Sequence, residues 1–104
     1  MFEYWADEFS APLRRVVDPP APVLVDLGTA IPTDGPFRRD TLSLRIKAGG
    51  LNIAATVPGL LYAWARANDG TWLGLVAFTI HTGNGHGRVE TRQWCPARAI
   101  TRRR

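Results

Sequence analysis

Three places in this sequence hold residue types that could do chemistry. Asp26 closes the apolar run Val23-Leu24-Val25-Asp26-Leu27 and is followed by Gly28-Thr29-Ala30. Two such aspartates, one from each of two copies, could share a proton and activate a water. The plainer reading is an apolar strand that ends in an Asp turn. Gly83-Asn84-Gly85-His86-Gly87-Arg88 could cradle a phosphate with backbone amides beside a guanidinium. It lacks a Lys-Ser/Thr pair and leads into a strand-like segment, so it also reads as a mobile hairpin loop. Cys95 is the single cysteine, and His81 and His86 are the two histidines. A nucleophilic thiol needs an oriented base, and an acid–base histidine pair needs a third group, and neither is evident. A lone Cys before Pro96 is a small apolar core residue in the ordinary case. One Cys and two His make neither a disulfide nor a zinc set. No catalytic residue, metal or cofactor is assigned from these patterns.

The elements that must position these residues are short strands. The chain has 104 residues, 45% of them hydrophobic, which is one domain with enough apolar surface for a core. Ten Gly and eight Pro sit mostly between apolar runs, the punctuation of strands and tight turns. Phe2, Trp5 and Phe9, spaced i, i+3, i+7, predict one face of a short helix, stopped by Pro12. That segment is either an arm packed on the domain or an aromatic–acidic hook for a partner. Residues 18–21 read as an extended linker, 22–27 as a short strand and 28–40 as a loop. Leu42, Leu44 and Ile46 alternate with polar residues, as do Leu51, Ile53, Ala55 and Val57 with theirs. With Ala48-Gly49-Gly50 between them, the two segments predict a β-hairpin. Further strands are predicted over 60–67, 71–82 and 88–94, with Asn68-Asp69-Gly70 turning the first into the second. Residues 97–100 read as one tight turn leading into a last short strand. The division expected is an N-terminal arm and extension over 1–40 and a β-barrel domain over 41–104 that ends in a basic tail.

Charge is unevenly placed. Residues 1–40 hold seven acids and four Arg, whereas 41–104 hold two acids and nine bases, ending Arg102-Arg103-Arg104. A basic half attracts polyanions at long range, although a solvated surface with a frayed basic tail gives the same count. On the predicted strands Tyr62, Trp64 and Arg66 share one face, and Arg88, Glu90, Arg92 and Trp94 share another. If register turns the two faces the same way, they form one aromatic and arginine surface.

The stretch Pro58-Gly59-Leu60-Leu61-Tyr62-Ala63-Trp64, then Asp69-Gly70-Thr71-Trp72-Leu73-Gly74-Leu75-Val76, resembles a small SH3-like barrel, and more narrowly a Tudor-like one. Trp94-Cys95-Pro96-Ala97-Arg98-Ala99-Ile100 is similar to the tryptophan, proline and final apolar residue around the last short turn of such barrels. The resemblance covers residues 58–100 and implies binding of peptides, proteins or nucleic acids rather than catalysis. The Asp-Tyr-Gly-Asn run common in Tudor domains is missing, so reading of methylated side chains is not implied. The Asp26 segment resembles the active-site turn of aspartic proteases, but Leu27 stands where that family has the Ser or Thr that braces the paired turns.

These readings combine into a mainly β protein, a small antiparallel SH3-like barrel or bent meander with an N-terminal extension. Its expected function is a non-catalytic binding module associated with nucleic acid. Arg66, Arg88, Arg92 and Arg98 would hold phosphates, and Tyr62, Trp64 or Trp94 would stack on bases. A protein-interaction module or subunit is the alternative, and a protease-like or ribonuclease-like enzyme the third. The N-terminus lacks a basic start and an apolar core of signal type, and no apolar run approaches the ~20 residues that cross a bilayer. No membrane partner and a cytoplasmic location are therefore expected. Oligomeric state is open, a homodimer included.

Overall fold

The computed structural model describes residues 1–5, 13–34 and 42–103. Five strands form one antiparallel sheet: β1 (Arg14–Asp26), β2 (Thr56–Arg66), β3 (Trp72–His81), β4 (Arg88–Pro96) and β5 (Ile100–Arg102). Their order is β4-β3-β2-β1-β5, curled into a half-barrel. The fold is thus mainly β, as the alternation and turn residues predict. A 3-10 turn, Ala97–Ala99, carries the chain from edge strand β4 to edge strand β5.

The concave face holds the core. Val23 and Val25 of β1, Val57 and Leu61 of β2, Val76, Phe78 and Ile80 of β3, and Cys95 of β4 are buried there with Leu27 and Ala99. Side chains on a strand alternate between faces, so β1 and β3 supply every second residue over 23–25 and 76–80 to this cluster, and β4 only Cys95. β3 is the exception: its other face, Leu73, Leu75 and Ala77, is also apolar and half-buried.

Three segments differ from the sequence expectation. The strand read over 22–27 runs back to Arg14, and the 18–21 stretch belongs to it as an irregularity between Val16 and Ala21. Residues Leu27–Ala30, read as the end of a strand and the start of a loop, form a short helix, α1. The hairpin expected from 42–47 and 51–57 is absent. Leu44–Gly49 is a helix, α2, and strand begins only at Thr56. The physical reason is an edge already taken. β2 is hydrogen-bonded to β1 on one side and β3 on the other, so residues 42–47 have no edge there to join. Ser43 instead accepts the Ile46 amide on its side-chain oxygen at 3.2 Å, starting a helix.

At the N-terminus Trp5 donates its amide to the Phe2 carbonyl at 3.0 Å, closing a turn. The rest of the helix predicted over 2–9, and residues 35–41, lie outside the described residues.

Candidate nucleic-acid interface

The predicted surface divides between the two faces of the sheet, and a β-bulge divides it. Between Leu61 and Ala63 the β2–β3 register shifts by one residue. An extra residue on one strand flips the facing of all that follow it. Leu61 therefore faces the core. Tyr62 lies on the convex face, and Trp64 returns to the concave face opposite Gly74. The expectation that Tyr62 shares one face with Trp64 and Arg66 fails at this bulge.

On the convex face the Arg92 guanidinium sits 4.2 Å from the Tyr62 ring centre. Trp94 lies two residues along β4, opposite Leu75, and is 40% exposed. Phe2 packs against it with ring centres 6.4 Å apart, and Trp5 meets Phe2 edge-on at 5.5 Å. The Arg14 guanidinium lies 5.7 Å from the Phe2 ring. Arg88 is exposed at the start of β4, opposite His81.

The concave face carries a second grouping, beyond the end of the core. Trp64 is paired with Arg15 across β1–β2, and Arg66 with Trp72 across β2–β3. Arg66 donates Nε to the Gly70 carbonyl at 3.0 Å, which holds its guanidinium 5.5 Å from the Trp72 ring. Trp64 closes over Gly74. A Cβ added at that glycine would lie 3.2 Å from Trp64 Cζ3, 2.9 Å from Leu61 Cδ1 and 2.5 Å from Ile100 Cδ1. Arg15, Trp64, Trp72 and Ala97 line a cleft of about 340 Å³. Arg15 and Trp72 were missed from sequence. The available signal was the Asn68-Asp69-Gly70 turn, whose register sets Arg66 opposite Trp72.

Arg98 stands apart from both groups, exposed on the 3-10 turn beside Pro96 and the α1 segment. Arg102 and Arg103 are not a frayed tail. Arg102 is paired with Val23, and Arg103 donates its amide to the Pro22 carbonyl at 3.2 Å. Among the described residues, Arg15, Arg66, Arg88, Arg92, Arg98, Arg102 and Arg103 form no ion pair with a carboxylate. The ion pair present joins the Met1 α-amino group to Glu3 at 2.6 Å.

The three chemical motifs have structural occupations. Asp26 caps α1: its carboxylate accepts the Gly28 amide at 3.2 Å and the Thr29 hydroxyl at 2.8 Å. In the glycine-rich loop every amide already donates. Gly83 gives its amide to the Gly50 carbonyl, Asn84 to Ala48 and Gly85 to Thr82. His86 gives its amide to Asn84 Oδ1, and Gly87 to Thr82 Oγ1. No amide of residues 83–87 remains for a phosphate. Cys95 is buried, and burial pushes its thiol above the ordinary range. Among the described residues no three His, Cys, Asp or Glu side chains are placed to hold a metal ion. No described helix is long and apolar enough to cross a membrane.

No protein-family model, curated protein or solved structure matches this chain.

Proposed function

We propose that this protein is a non-catalytic, SH3-like binding module that associates with nucleic acid through its arginine- and aromatic-bearing sheet surfaces. The observation that carries the reading is Arg92 stacked at 4.2 Å on Tyr62, beside exposed Trp94, with no carboxylate neutralising the guanidinium. A cation held over a ring is positioned without being discharged, and it stays available to a phosphate oxygen. The excess of bases over acids in residues 41–104 gives the same surface a long-range attraction for polyanions. Support for the SH3-like assignment is the strand order β4-β3-β2-β1-β5, with a 3-10 turn between β4 and β5. Support for binding rather than catalysis is that Asp26 is spent on a helix cap, the loop amides on internal bonds, and Cys95 on the core. A cytoplasmic location fits this role.

The test is a salt titration of binding to short single- and double-stranded oligonucleotides. Each phosphate contact releases condensed counterion, so log affinity falls linearly with log salt. Arg88→Ala with Arg92→Ala lowers the slope by about one unit per lost contact and weakens binding to all sequences alike. Because Arg102 belongs to β5 and Arg103 is tied by its amide to the Pro22 carbonyl, the basic end is tested by Arg103→Gln rather than by truncation. Absence of binding at low salt defeats the reading.

A second reading has its own observation. Leu44 is 81% and Ile46 57% exposed on α2, with Leu42 and Leu51 exposed nearby. Exposed apolar side chains gathered in one place mark protein-interaction surfaces. Loss of a protein partner on Leu44→Ser with Ile46→Ser would promote this reading over the first.

A further inference from the structure

The geometry points to the concave-face cleft between Trp64 and Trp72 as a stacking subsite for an unstacked base of single-stranded nucleic acid. This rests on the nucleic-acid reading above and goes beyond it in naming the form of nucleic acid and the residues that select it. The cleft walls are two half-buried indoles and the Ala97 methyl, a lining suited to a flat apolar body. Its rim is cationic. Arg15 borders the cleft itself, and Arg66 lies over the Trp72 ring. A second cavity of about 350 Å³ shares Arg15 and Trp64 with it and is otherwise lined by the aliphatic residues Val17, Ala21, Val23, Leu61 and Ile100 and by Arg102.

The carboxylates on the adjoining segments are Asp18, in the β1 irregularity, and Asp69, in the β2–β3 turn. Asp69 accepts the Thr71 amide at 2.9 Å, and neither acid pairs with these arginines. An aromatic slot edged by unpaired cations is complementary to a planar ring joined to an anion, which is the chemistry of one nucleotide. A duplex keeps its bases stacked and paired inside, so it can reach the arginines but not the slot. Single strands can turn a base out onto an aromatic ring.

The probes are a fluorescein-labelled ten-nucleotide oligothymidylate, a duplex of the same length, and an acidic peptide containing one Phe. At low salt the single strand binds more tightly than the duplex and quenches intrinsic tryptophan fluorescence. Trp72→Ala weakens single-strand binding roughly 5- to 150-fold, the range for losing one base–aromatic stack, and changes duplex binding by less than about twofold. If Trp72→Ala lowers the folded fraction by circular dichroism, Trp72→Phe and Ala97→Glu decide instead. The first keeps most of the single-strand affinity, and the second sets a carboxylate at the cleft and reduces it. Equal affinities for the two forms, or equal losses for both on Trp72→Ala, overturn the cleft assignment and leave the broader nucleic-acid reading standing. No binding to either form defeats both. Tighter binding of the acidic peptide, lost on Trp72→Ala, overturns the assignment in favour of a protein ligand.

Discussion

Gly59 lies in the middle of β2, opposite Phe78 and under the core, and its missing side chain sets how closely three strands approach. A Cβ built there would stand 2.8 Å from the Ala77 carbonyl oxygen, 3.0 Å from Val76 Cγ1 and 3.3 Å from Val25 Cγ2. The first is the severe contact, because a backbone oxygen in the β2–β3 ladder cannot rotate away as a side-chain tip can. Gly59→Ala therefore forces β3 outward or breaks ladder hydrogen bonds, at an overpacking cost of about 1–3 kcal/mol. Alanine also stiffens the unfolded chain, which returns roughly 0.4–1 kcal/mol. The net expectation is a loss of about 1–2 kcal/mol, seen as a melting temperature lower by roughly 4–8 °C per kcal/mol for a domain of this size. Gly49, at the end of α2, is the control: nothing lies within 4 Å of a Cβ added there. Gly49→Ala should leave stability unchanged or raise it by up to about 1 kcal/mol. Thermal unfolding followed by circular dichroism reads both variants. If Gly59→Ala melts at or above the parent, or if both variants fall together, the close β2–β3 approach is wrong.

Other outcomes follow from the same geometry. Asp26→Ala removes the α1 cap and should cost about 0.5–2 kcal/mol in chemical denaturation, whereas Asp26→Asn keeps an acceptor for the Gly28 amide and should leave both stability and binding near the parent's. Gly74→Ala should lift Trp64 and Ile100 from their seats, detected as a shift in tryptophan emission with a lower melting temperature. Cys95 should resist a disulfide-exchange reagent until the protein unfolds, because it is buried and its thiol is hard to ionise. In linkage terms the native state holds the Cys95 proton more tightly than the unfolded chain does. Its contribution to stability is complete below the ordinary thiol range and is lost as pH rises through the raised folded value, which denaturation midpoints at increasing alkaline pH would record.

The strands from β2 to β4 were legible because their signals are local. Asn68-Asp69-Gly70 announces a turn, and the structure uses each residue type as expected. Gly70 takes φ +93°, and Asp69 accepts the Thr71 amide on its side chain. The 3-10 turn after Pro96 was legible for the same reason. Helix α2 was not, because over six residues Leu42, Leu44 and Ile46 obey a strand's period of two, while what decides is whether a sheet edge is free. That is a property of β1 and β3, distant in sequence. The strand reading of 42–47 also presumed a buried face, and Leu44 and Ile46 have none.

The interface shows the same limit more sharply. The residues singled out from sequence were arginines and aromatics at the right density, and Arg92 with Tyr62 does come together. Their sorting into faces depended on uninterrupted alternation through β2. One bulge after Leu61 moves Trp64 to the opposite side of the sheet from Trp94 and hands it to Arg15, a residue from a strand read as starting eight positions later. A bulge changes facing without changing composition, so nothing in residue counts records it. What it produces is two arginine–aromatic faces where one was expected. The convex face carries Arg92 over Tyr62 beside Trp94. The concave face carries Arg15, Trp64 and Trp72 around the cleft proposed above to take a single unstacked base. The difference between single- and double-stranded affinity is therefore the quantity that tells whether the bulge shapes function or merely relieves the curl of the sheet.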